Sequence, residues 1–100
     1  MKYVVICYAE HENEIESKDI FNGEKEALNC MERDFSLKLD EEEMSTPEEE
    51  IDNIYSEINE ADAYLSSWDG EMSWVWKILS LNNDDVEQAE DVFMDSLEDN

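Results

Sequence analysis

Between Leu39 and Asn100 this chain sets twenty-one carboxylates against one cation, Lys77. Residues 1–38 are close to ordinary by comparison, with nine acids and five basic groups. The two segments carry net charges of −20 and −4, which together make the −24 of the whole chain. Repulsion at that density opposes a compact state, so a fold must bury enough apolar surface to overcome it. The material is present: 41% of residues are hydrophobic, including three Trp, four Tyr and three Phe, with only two Gly and one Pro. One hundred residues of this kind predict a single folded domain, residues 1–100, and not a disordered chain or linker.

The charge also sorts partners. Nucleic acid and anionic membranes are repelled by the second part of the chain, whereas a cationic surface is attracted and steered. Cys7 and Cys30 are too few for a disulfide scaffold and match no zinc spacing, so they read as structural thiols. The opening MKYVVICYAE holds a short apolar run with no cleavage-like site and reads as a strand, not a signal peptide. No stretch approaches the roughly twenty apolar residues of a membrane span, and the expectation is a cytoplasmic protein.

Tyr3 to Tyr8 is a β-branched and aromatic run expected to form a buried strand, with Glu14 to Ile20 pairing back on it as a hairpin. Asn22 can cap a helix from about Glu24, whose Ala27, Leu28, Met31 and Phe35 share one face. Asp40 to Ser45 reads as an acidic connection. Thr46-Pro47-Glu48-Glu49 then combines an N-cap, a proline at the first helical position and capping-box spacing. With Ile51, Ile54, Tyr55 and Ile58 at helical spacing, it predicts a second, amphipathic helix with an acidic exposed side. Ala63–Ser67 and Met72–Leu81 are expected strands joined at Trp68-Asp69-Gly70-Glu71, where Asp-Gly is a strong hairpin signal. On the second strand Met72, Trp74, Trp76 and Ile78 should share one face, opposite Val75, Lys77 and Leu79. A last helix capped by Asn83 or Asp84 would bury Val86, Ala89, Phe93 and Leu97. The expected fold is α+β, a small antiparallel sheet with three helices in the order ββααββα.

Familiar catalytic arrangements are missing from this pattern. The sole histidine, His11, falls in a turn, and Gly23 and Gly70 cannot make a phosphate-binding loop. Nothing singles out two carboxylates as an acid–base pair, and neither Asp40–Glu43 nor Asp84–Asp85 has the EF-hand pattern. The expectation is a non-catalytic protein with no cofactor and no dedicated metal site.

The acids themselves are the candidate site. Duplex DNA carries one negative charge per roughly 1.7 Å of axis, and its binders meet it with clusters of Lys and Arg. Carboxylates held on a folded surface can offer those clusters a comparable row of anions, with the ordering entropy already spent in folding. Asp40, Glu41, Glu42 and Glu43 form one group, and Glu48, Glu49, Asp52, Glu57 and Glu60 a second on the expected middle helix. Asp84, Asp85, Glu87, Glu90, Asp91 and Asp95, with Glu98 and Asp99 beyond, form a third on the last helix. Trp68, Asp69 and Glu71 at the hairpin would add selectivity beside them, with Trp74 and Trp76 expected in the core.

In size, charge and lack of catalytic residues the chain resembles the small acidic inhibitors of phages and mobile elements. That group includes DNA mimics that block restriction enzymes, DNA glycosylases or CRISPR effectors. The opening MKYVV, with Ile15-Glu16-Ser17 and Glu24-Lys25-Glu26-Ala27, also looks like short uncharacterised proteins of Firmicute phages and elements. The resemblance implies an anti-CRISPR inhibitor that blocks PAM recognition by an RNA-guided nuclease, in the cytoplasm of a bacterial host. The alternative is an antitoxin, immunity or adaptor protein that binds one cognate basic protein.

Overall fold

The computed structural model describes residues 1–98. The chain runs β1 (Lys2–Ala9), β2 (Glu14–Phe21), α1 (Glu24–Ser45), β3 (Tyr55–Ile58), β4 (Asp62–Ser67), β5 (Met72–Leu81) and α2 (Ala89–Glu98). All neighbouring strands are antiparallel, in the spatial order β2-β1-β5-β4-β3. The apolar run of β1 therefore sits inside the sheet, buried on both faces, as a continuous run predicts.

The two helices lie on opposite faces. Alternation along β1 sends Val5, Cys7 and Ala9 to one face, where they pack with Ala27, Cys30, Met31 and Phe35 of α1 and with Trp74 and Trp76 of β5. Val4, Ile6 and Tyr8 point to the other face and meet Ala89 and Phe93 of α2. Phe35 meets Trp76 edge-on at 5.5 Å, and Tyr8 meets Phe93 at 5.7 Å, so each helix is pinned by an aromatic pair. The expected division of β5 into two faces holds, and Trp74 and Trp76 are core residues, 2% and 1% exposed. Both cysteines are buried free thiols.

Three expectations need correction. The fold is α+β, but its sheet has five strands and there are two helices, not three in the order ββααββα. The acidic connection at Asp40–Ser45 is the last part of α1, which continues unbroken to Ser45. The middle helix does not form. Thr46 closes α1 instead of opening a new helix: its backbone N–H donates to the Glu42 carbonyl at 3.0 Å, in extended conformation. Pro47–Glu50 makes a turn, Ile51–Asn53 a short 3-10 turn, and Tyr55–Ile58 pairs with β4.

Charge and side-chain shape account for that outcome. A helix over 48–60 would stack Glu48 on Asp52 and Glu57 on Glu60, with no cation in the segment to offset them. Isoleucines and a tyrosine suit a strand, and pairing covers β4, which would otherwise leave a longer edge open. Two smaller points differ in detail. Gly23, not Asn22, precedes the first turn of α1, and Asn22 accepts a hydrogen bond from Lys2. The last helix is entered through a 3-10 segment, Asn83–Gln88, before α2 begins. The β4–β5 turn forms as expected around Gly70 at φ +91°, a conformation glycine adopts without a Cβ clash.

Candidate partner-binding surface

Most of the expected contact residues reach solvent, but they do not form one surface. Asp40, Glu41 and Glu43 stand exposed on the last turns of α1. Glu48, Glu49 and Asp52 are exposed on the loop that follows, Glu57 on β3, and Glu60 in the turn into β4. Asp84, Glu87, Glu90, Asp91 and Asp95 are exposed and Asp85 half-buried on the segment that covers the opposite face. Asp99 lies outside the described residues. The sheet stands between the α1 group and the α2 group.

Glu42 leaves the candidate set. It is 8% exposed, and its Oε1 accepts a hydrogen bond from the buried Ser67 hydroxyl at 2.6 Å, tying the end of α1 to the end of β4. Helical periodicity carries the reason, since Glu42 follows the buried positions Met31 and Phe35 by eleven and seven residues. Trp68 is half-buried at φ +54°, and Asp69 follows it in the Trp68–Gly70 turn, with exposed Glu71 just beyond.

Lys38, Lys18 and Lys77 are engaged away from the segment Asp40–Glu71. Lys38 Nζ lies 3.4 Å from Glu16 and 5.1 Å from the Trp74 ring centre, and the Trp74 indole donates to Glu16 at 3.3 Å. Lys18 on β2 meets Glu90 of α2 at 3.4 Å, so Glu90 is partly neutralised within the protein. Lys77 Nζ donates to Ser96 Oγ at 3.1 Å. Among the described residues no ion pair reaches any carboxylate from Asp40 to Glu71. Apart from the buried Glu42 and the half-buried Glu50, those whose exposure is described face water with no cation beside them.

Two arrangements were not read from the sequence. Asp19, Cys30 and Asp34 bring their ligand atoms within 4.8 Å of one another, between β2 and α1. Burial raises the Asp34 carboxyl above its ordinary range and the nearby Asp19 adds to the shift; burial, with Asp34 and Asp19, does the same to the Cys30 thiol. A divalent ion would relieve that crowding, with the thiol surrendering its proton. Cys7 is less approachable still, its thiol pushed up to about 12 chiefly by burial and then by Glu16, so it is no nucleophile at neutral pH.

The second arrangement is on β3 and β4. Tyr55 and Tyr64 stand side by side, ring centres 6.0 Å apart, and the Tyr55 hydroxyl donates to Glu57 at 3.0 Å. That bond and the Glu57 charge raise the Tyr55 phenol above its ordinary range. The signal was available: Tyr55-Ser56-Glu57-Ile58 precedes an Asn59-Glu60-Ala61 turn, in which Asn59 bonds Asp62 through both backbone and side chain.

Comparison with protein-family models, with curated proteins and with solved structures finds no match. Among the described residues no helix is long and apolar enough to cross a membrane.

Proposed function

We propose that the protein is a non-catalytic inhibitor that presents a DNA-like acidic surface to the basic cleft of a nucleic-acid-binding protein. The observation that supports this reading is the row of exposed carboxylates between Asp40 and Glu71, Glu42 apart, which no ion pair reaches among the described residues. A solvated face for solubility needs a net charge magnitude of roughly 2–8, well short of the 24 found here. Glu48, Glu49, Asp52, Glu57 and Glu60 fit this role as a loop and strand edge, not as a helix. The PAM-reading cleft of an RNA-guided nuclease, in the cytoplasm of a bacterial host, is the target to test first, because its arginines must meet duplex DNA before any base pairing begins.

The test is competition. An immobilised protein should retain a nucleic-acid-binding effector from host lysate, and duplex DNA should displace it. Neutralising Glu48→Gln, Asp52→Asn, Glu57→Gln and Glu60→Gln together should leave the fold intact and weaken inhibition. Association should also slow steeply from low to physiological salt. Retention of one partner that DNA cannot displace would instead identify an antitoxin or immunity protein.

A further inference from the structure

The surface just described has a feature that charge alone does not require. β3 is a sheet edge, all four of its residues are exposed, and its outer side has no strand beside it. Register places Tyr55 beside Ser66, Glu57 beside Tyr64, Tyr64 beside Val75 and Asp62 beside Lys77, so these side chains share one face. It is the face that α2 covers further along β5, at Leu79 and Leu81, and leaves open here. A hollow of about 300 Å³ lies there, lined by Glu57, Asp62, Tyr64, Val75 and Lys77 among others.

The chemistry of that face suits a guanidinium. A cation over a tyrosine ring within about 6 Å is attracted by the ring quadrupole, and a carboxylate adds charge-assisted hydrogen bonds. Tyr55, 53% exposed, and Tyr64 supply the rings; Glu57 and Asp62 supply carboxylates that are without an ion pair among the described residues. Lys77, the nearest cation of the face, directs its ammonium to Ser96 on α2.

Edge strands are commonly protected by charge, and this one is protected selectively. Glu48 to Asp62 holds seven carboxylates and no cation, so a second copy pairing edge to edge would bring two such sets together. The same charge invites a basic strand. We propose that an extended, arginine-bearing segment of the partner adds to β3 as a sixth strand, with alternate arginines lying over Tyr55 and Tyr64 against Glu57 and Asp62. Strand addition provides backbone hydrogen bonds, and the period of two places every second side chain on the tyrosine face. The inference rests on the reading that the partner is a basic protein, and it names how that partner is held.

The test uses the full chain and a synthetic eight-residue peptide of alternating arginine and threonine, followed by amide NMR shifts and calorimetry. Shifts should be largest at residues 55–58, and Tyr55→Ala or Glu57→Gln with Asp62→Asn should weaken binding about tenfold or more. Two further peptides, methylated at odd or at even backbone nitrogens, separate pairing from attraction. One register should lose about tenfold in affinity and the other should bind as before, because only one edge of the peptide faces β3. Equal binding of both, with shifts spread over residues 84–95, would overturn the proposal in favour of general attraction. Concentration-dependent shifts at 55–58 without peptide, with a dimer on sedimentation, would give the edge to a second copy and overturn it as well. The two readings fail separately: duplex DNA that still displaces the effector while the peptide finds no register leaves the inhibitor reading standing and removes this one. A peptide bound in one register alongside an effector that DNA cannot displace does the reverse.

Discussion

The sheet has two edges, and the chain equips them in opposite ways. β2 is eight residues long and carries Lys18, which pairs with Glu90 of α2, while the neighbouring Glu16 is met by Lys38 of α1. Two of its charges are thereby tied to the helices, one to each. β3 is four residues long, has every residue in contact with solvent, and carries Glu57 with no ion pair among the described residues. A chain optimised for stability would distribute its cations over both edges, since uncompensated charge costs folding energy without improving the core. The contrast indicates that the acidity of the β3 side is a property of the surface it offers, whereas the β2 side is ordinary structure.

Phe93→Ala removes a ring with no solvent exposure that fixes α2 over β1, and should cost about 3–5 kcal/mol in urea unfolding. Tyr55→Ala on the β3 edge should stay within about 0.5 kcal/mol, so a comparable loss there would mean that the edge is structural. Next comes the one acid of the first candidate group that the fold consumes. Glu42→Ala strands the buried Ser67 hydroxyl and should cost about 1–3 kcal/mol, with Glu42→Gln costing less and the exposed neighbour Glu41→Gln nothing measurable. The smallest effect tests the β2 side by pH. Burial and Asp19 raise the Asp34 carboxyl, so the folded state holds its proton more tightly and stability falls as pH rises through that range. Asp34→Asn should therefore stabilise the protein at neutral pH, and the gain should vanish below the ordinary value of 3.8 in thermal melts run against pH.

Patterns that depend on local burial were legible in the sequence. The run Val4–Tyr8, the alternation of Trp74 and Trp76 with Val75 and Lys77, and the Asp69-Gly70 turn each have a short-range physical cause, and each appears where expected. The segment 46–60 was misread because Thr46, Pro47 and Glu49 satisfy the cues of a helix start, while Ile51, Ile54, Tyr55 and Ile58 fit a helical stripe. What decides the matter is not local. β4 needs a neighbour, and a helix there would stack carboxylates that the strand holds apart. Of the candidate site, the exposure of the acids could be read directly. The loss of Glu42 to Ser67 and the pairing of Tyr55 with Tyr64 required the register of distant strands.

The end of α1 also carries a dynamic consequence. Backbone carbonyls make the C-terminus of a helix its negative pole, and cations usually gather there. In α1 the last turn has none, and Asp40, Glu41 and Glu43 crowd the same end. Those turns are held by Glu42 and by the Thr46 N–H against a standing repulsion, which makes them the part of α1 readiest to fray. A basic partner that settles on them neutralises the pole and the side chains at once. Binding of such a partner would thereby be linked to helix order, and in the proposed complex the amides of residues 40–46 should exchange hydrogen more slowly, even where the partner makes no contact with the backbone.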